Sequence, residues 1–137
     1  MSVHIRTVTG RGTSLAWTNG RSVTIDAGEG AGELRIGFDA DELLALAVGA
    51  SFVKSLLREA RARRIRVTEV AVDVSTEEAG NGTHEPGQVI SVTVAADADE
   101  NAVVEMIEHA DRTAPISNRL RFGSPVRLTQ ASVIRNP

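Results

Sequence analysis

An α+β fold in one domain, 1–137, is the class this sequence predicts, and three observations predict it. Several short runs alternate apolar and polar residues with period two, as half-buried strands do. Two stretches that open on Asp-x-x-Glu carry helical patterns. The two kinds of segment are grouped as three strands, a helix, two strands and a helix, rather than alternating one by one as in a parallel α/β fold.

Composition narrows the class. A chain of 137 residues, 42% hydrophobic and 24% charged, suits one folded domain and excludes wholesale disorder. No run reaches the ~18–20 apolar residues of a membrane span, and Met1-Ser2-Val3-His4-Ile5-Arg6 lacks a basic-then-apolar leader pattern. A cytoplasmic protein with no membrane partner is expected. The net charge of −3 speaks against a dedicated nucleic-acid binder. One tryptophan, three phenylalanines and no tyrosine supply too few rings for base stacking. The absence of cysteine excludes disulfides, thiolate metal sites and thiol nucleophiles.

The elements follow in order. Val3 to Val8 alternates as a strand, and Ser14–Thr18 and Ser22–Asp26 flank Asn19-Gly20. Asn-Gly between β-like runs marks a hairpin, because both residues tolerate positive φ. The glycine-rich stretch with Gly28, Gly30, Gly32 and Gly37 has Glu33 where a dinucleotide fingerprint needs glycine, so it reads as a loop.

Asp39 then caps a long helix, with Glu42 completing a capping box. Its body, Leu43 to Val53, is apolar on every side and predicts a helix buried all round, or one shared with a second subunit. Beyond Lys54 it turns basic, through Arg58, Arg61, Arg63, Arg64 and Arg66, as suits the negative end of a helix dipole. Valines 70, 72 and 74, and Ile90, Val92 and Val94, predict two more strands. The connection between them, Glu77 to Gln88, includes Asn81-Gly82-Thr83, a glycosylation pattern set aside for want of a secretory signal.

Asp97-Ala98-Asp99-Glu100 predicts a second cap, ahead of a helix with a Val103, Met106, Ile107, Ala110 stripe. Pro115 suits the first position of a further short helix. A last strand is expected near Val126 to Ile134.

Three stretches carry a resemblance that spans nearly the whole chain. The first runs from Asp39-Ala40-Asp41-Glu42-Leu43 through Val48-Gly49-Ala50-Ser51-Phe52. The second is Ala114-Pro115-Ile116-Ser117-Asn118-Arg119-Leu120, the most specific, and the third is Arg11-Gly12-Thr13 ahead of a strand. With these motifs in this order the chain resembles the OsmC/Ohr family of osmotically induced and organic hydroperoxide resistance proteins. The family typically reads Asn-Pro-Glu-Glu-Leu and then a cysteine in the first stretch, and Cys-Pro-Val/Ile-Ser in the second.

The resemblance implies two small antiparallel sheets packed around a long central helix, in an intertwined homodimer without cofactor. It also implies thiol chemistry that reduces organic hydroperoxides, with an arginine and a carboxylate orienting the peroxide. Here the attacking cysteine's position holds Ser51 and the resolving one Ala114. Arg11 and Asp41 match the arginine–carboxylate pair, with Glu42 the neighbouring alternative. A serine hydroxyl needs an activating base and cannot cycle through sulfenic acid and disulfide. Thiol peroxidase activity is therefore expected to be absent.

The expectation that remains is a homodimer that binds a small hydrophobic or anionic molecule in the old cleft near Arg11, Asp41, Ser51 and Ala114. A non-redox enzyme using Ser51, or a structural dimer without ligand, are the alternatives. Each candidate also has a plainer reading. Ser51 can bond back to the Ala47 carbonyl, and no histidine lies near it in sequence. Glu105 and His109, four apart, fit a solvated helix face better than a metal site. The basic run fits a helix end better than a phosphate track.

Overall fold

The protein, seen in a computed structural model, is described over residues 1–7, 13–26, 37–77 and 87–134. Arg11, Gly28, Gly30, Gly32 and the Asn81-Gly82-Thr83 pattern lie outside the described residues.

The first three strands, β1 (His4–Thr7), β2 (Thr13–Thr18) and β3 (Arg21–Asp26), form an antiparallel meander. Asn19 and Gly20 take φ of 47° and 74° and pair Thr18 with Arg21. That is the tight hairpin the dipeptide predicts. The His4 and Trp17 rings stack across β1 and β2, their centroids 5.4 Å apart. Phe38 returns to this sheet: the Asp26 N–H donates to its carbonyl at 2.9 Å, and its own N–H donates to the Thr24 carbonyl at 3.0 Å. Gly37 makes the approach possible, since a Cβ there would stand 2.6 to 2.8 Å from the backbone of residues 24–26.

Helix α1 (Ala40–Arg63) begins at the expected cap. The Asp39 carboxylate accepts the Glu42 N–H at 2.8 Å, and the Glu42 carboxylate accepts the Asp39 N–H at 3.0 Å. It ends on Arg64, left-handed at φ 55°, whose N–H bonds back to the Ala60 and Arg61 carbonyls. Strands β4 (Arg66–Glu77) and β5 (Gly87–Asp97) form a separate two-stranded antiparallel ribbon. A bulge lies between Val67 and Glu69. There the Thr68 hydroxyl donates to the Ala95 carbonyl at 3.1 Å.

Helix α2 (Glu100–Thr113) and the short α3 (Pro115–Phe122) follow. The cap of α2 falls two residues later than the sequence suggests. Asp99 accepts the Ala102 N–H at 2.8 Å, because Asp97 is still the last residue of β5, opposite Arg66 and 3.4 Å from its guanidinium. Pro115 opens α3 as expected.

The core lies where α1 and α2 cover one face of the ribbon. Phe52, Leu56 and Ala60 meet Met106 and Ala110, with Val70, Val72, Ile90, Val92 and Val94 beneath. Gly49 lets α1 settle close, since a Cβ there would stand 3.2 Å from Val74 Cγ2.

Two expectations are corrected. In the single chain α1 is buried on one side only, through Val48, Phe52, Leu56 and Ala60, while Leu44, Leu46 and Leu57 are 38%, 58% and 47% exposed. Two strands and two short helices have too little area to surround 24 residues of helix. The strand expected over Val126 to Ile134 does not form, and residues 123–134 have no regular structure. A strand needs a neighbour for its backbone groups. Within the described residues none is paired to this segment, and Val126, Leu128, Val133 and Ile134 are 87–95% exposed.

Gly37→Ala should lose roughly 1–3 kcal/mol in urea unfolding, as the added methyl pushes on backbone. Leu56→Ala, at the centre of the core, should cost about 2–5 kcal/mol.

Candidate functional site

The site is built where α1 meets the start of α3. Helix α3 opens on Ala114, which has no side-chain oxygen to cap it. Pro115 has no N–H, so Ile116 carries the first free donor of the helix. That donor points to Ser51 of α1, whose Oγ accepts it at 3.2 Å. Ser51 thus caps α3 from another helix, which is the work an N-cap serine does within its own. The hydroxyl turns to α3 and not to the Ala47 carbonyl one turn back. Ala114 is fully buried beside this joint, so the structure brings Ser51 and Ala114 to one place.

A groove of about 360 Å³ opens over the joint, lined by Ser51, Lys54, Ser55 and Arg58 of α1 and by Pro115 and Ile116 of α3. Positions 51, 54, 55 and 58 are one helical face. Among the described residues, neither Lys54 nor Arg58 has an ion-pair partner. A hydroxyl, two free cations and the positive end of α3 together suit an anion. Sequence reasoning missed Lys54 and Arg58 as parts of a site, although their spacing from Ser51 placed them on its face.

Asp41 and Glu42 lie elsewhere in the chain. Ten and nine residues before Ser51, they stand about 15 and 13.5 Å from it along the helix axis. Glu42 is held in the capping box and lines a different groove, of about 520 Å³, with Phe38, Leu46 and Val72. Arg11 lies outside the described residues.

Among the described residues, none is placed as a base for Ser51. Lys54 is spaced from it as in Ser-x-x-Lys, but the two share no hydrogen bond and Lys54 is exposed. His109 faces α1 further along, its Nε2 3.5 Å from the Glu59 carboxylate. His4 is stacked on Trp17, and His84 lies outside the described residues.

Glu105 and His109 belong to a network that ties α2 to α1. Arg63 Nε donates to Glu59 at 2.8 Å, and its guanidinium lies 3.6 Å from Glu105. The hydrogen bond from Arg63, aided by the charges of His109 and Arg63 and opposed by desolvation, holds the Glu59 carboxyl below its usual range. The same bond raises Arg63. Among the described residues no group of three or more His, Cys, Asp or Glu is placed to hold a metal. No described helix is long and apolar enough to cross a membrane.

Comparison with known proteins is consistent at the level of the fold. A family model described as OsmC-like protein matches residues 30–129. An OsmC-like protein from Mycoplasma pneumoniae superimposes with a TM-score of 0.72 at 16% identity, over 88% of this chain and 86% of that one. An OsmC-like protein of unknown function from Vibrio cholerae does so with 0.72 at 12%, over 85% and 90%. The organic hydroperoxide resistance protein OhrB of Bacillus subtilis gives 0.54 at 21%, over 89% and 90%. No curated protein matches the chain.

Ser51→Ala should speed hydrogen exchange at the Ile116 amide about fivefold, the effect of losing a cap worth ~1 kcal/mol. A depressed carboxyl stabilises the fold above its ordinary value of 4.5 and loses that contribution as the pH falls through its lowered value. Acid unfolding of Glu59→Gln should therefore fall less steeply below pH 4.5 than that of the native chain.

Proposed function

The chain belongs to the OsmC-like family, and from that premise we propose that it is a thiol-free binder of small anionic molecules. The observation that carries the reading is the Ser51 hydroxyl on the Ile116 N–H, in one groove with the unpaired Lys54 and Arg58. With no cysteine in the chain, hydroperoxide reduction through a thiolate has no attacking atom and no resolving one. With no base in reach among the described residues, Ser51 acts in this reading as a hydrogen-bonding group and not as a nucleophile. Its ligand is a carboxylate or similar anion with a short apolar body, which lies against Ala47, Ala50 and Ile116.

The working unit in this reading is a homodimer. Phe38, Leu44, Leu46, Leu120 and Phe122 are 38–82% exposed in the single chain, and exposed apolar side chains that gather into a patch mark an interaction surface. A second copy laid along α1 covers it. The separation of Asp41 from Ser51 along α1 then has a consequence. Within one chain the two never meet, so a carboxylate that reaches a given Ser51 from position 41 comes from the other copy. A ligand-free structural dimer is the second reading, favoured by the same apolar area.

Native mass spectrometry of protein purified without additives tests both. A dimer carrying a discrete excess mass is expected, a clean dimer that fails to take up hexanoate supports the structural reading, and a monomer overturns the assembly. In calorimetry, Lys54→Gln and Arg58→Gln should each weaken hexanoate by about tenfold, the order expected for one charge-assisted hydrogen bond. Affinity unchanged in both variants would reject the groove. Restoring thiols with Ser51→Cys and Ala114→Cys together should confer hydroperoxide reduction. A folded double variant without that activity removes Arg11 and Asp41 from the site.

A further inference from the structure

We propose a second binding site, for a neutral hydroxyl-bearing molecule with an aliphatic body, in the cavity enclosed by α1, β5 and α3. It shares no residue with the Ser51 groove and stands or falls apart from it. The cavity holds about 360 Å³ and is walled by Leu44, Val48, Ile90 and Leu120, with Ser117 and Gln88 as its polar members. Both of these are left unsatisfied. Ser117 is only 5% exposed, and its hydroxyl has no hydrogen-bond partner. Gln88 donates from Nε2 to Thr76 Oγ1 at 3.4 Å, while its Oε1 is buried without a partner.

Such atoms are uncommon in folded proteins, because a buried polar atom with no partner has given up its hydrogen bond to water for nothing in return. Two of them on one otherwise aliphatic cavity describe an occupant by its chemistry. A hydroxyl supplies what both lack, since it donates to Gln88 Oε1 and accepts from the Ser117 hydroxyl. The four aliphatic side chains take the hydrocarbon part.

Charge decides against an anion. Arg121 stands at the rim, but its guanidinium is already held by the Asp111 carboxylate at 2.7 Å and by Asn118 Oδ1 at 3.1 Å. Among the described residues no free cation faces the cavity. Water alone is a poor fit, because a buried water takes about three hydrogen bonds and the space is several times its ~30 Å³ share of the liquid.

The test is an NMR titration of the full chain with 1-hexanol, and with hexanoate as its charged counterpart. Hexanol should shift the Gln88 side-chain amide and the Ser117 backbone amide saturably, and hexanoate should leave both in place. Ser117→Ala should weaken hexanol by about tenfold, as expected for one lost hydrogen bond in an apolar site. Leu120→Trp, which fills the cavity from its rim, should abolish the shifts, with the dimer that Leu120 helps to form checked by native mass spectrometry. No saturable shift at Gln88 overturns the proposal, whether a bound water or a second copy of the chain occupies the space. Equal hexanol affinity in the native chain and Ser117→Ala overturns it too. The Lys54→Gln variant should bind hexanol normally, which separates failure here from failure of the anion groove.

Discussion

A two-stranded ribbon does not hold its shape in water by itself, and the C-terminal two-thirds of this protein is organised around that constraint. The valine and isoleucine face of β4 and β5 has to be covered, and α1 and α2 cover it through Phe52, Leu56, Met106 and Ala110. Each such side chain contributes roughly 1.5–3 kcal/mol by leaving water. The opposite face of the ribbon, with Glu69, Asp73, Ser91 and Thr93, stays in solvent. Gly49 sets how closely α1 can lie on β4. The Glu59–Arg63–Glu105–His109 contacts fasten α2 beside α1 from outside.

Once α1 is fixed on the ribbon, its remaining faces are committed to other tasks. The face with Ser51 receives the start of α3. Leu44 and Val48 form one wall of the cavity under Ser117. Leu46 is left open near Phe38. One apolar helix therefore serves three neighbours with a single sequence, which is why its residues show no single stripe. An amphipathic helix has one environment to satisfy, as α2 does. A helix apolar all round has several, and here not all of them are filled by the chain that carries it.

Much of the fold was legible because it is local. The Asn19-Gly20 turn, the Asp39–Glu42 cap, the Val103–Met106–Ile107–Ala110 stripe and the Pro115 helix start all depend on a few neighbouring residues. The misreadings came where a distant partner decides. Asp97 and Asp99 are equally good caps by pattern, and pairing with Arg66 is what keeps Asp97 in β5. Residues 126–134 alternate like a strand, but no alternation supplies a second strand to pair with. The joint between α1 and α3 was legible in position and not in content. The family motifs pointed to Ser51 and Ala114. The partner of Ser51 lies 65 residues away on the Ile116 backbone, which no residue identity encodes. Gln88 and Ser117 gave no signal, because being unsatisfied is a property of surroundings.

The joint between α1 and α3 has a consequence for chemical durability. Hydroxyl and backbone N–H make it, and neither changes with redox state. The oxidisable sulfurs elsewhere are few: the chain has two methionines and no cysteine. Met106 is fully buried in the core, and Met1 is an exposed terminus whose loss of hydrophobicity disturbs nothing packed. Sulfoxide formation disrupts proteins where a methionine is both packed and reachable, and here those two conditions never coincide. A fold that in its relatives is associated by name with hydroperoxide resistance is built in this chain so that peroxide finds little sulfur to attack. Its shape should persist unchanged through an oxidative burst that would cycle a thiol enzyme between forms.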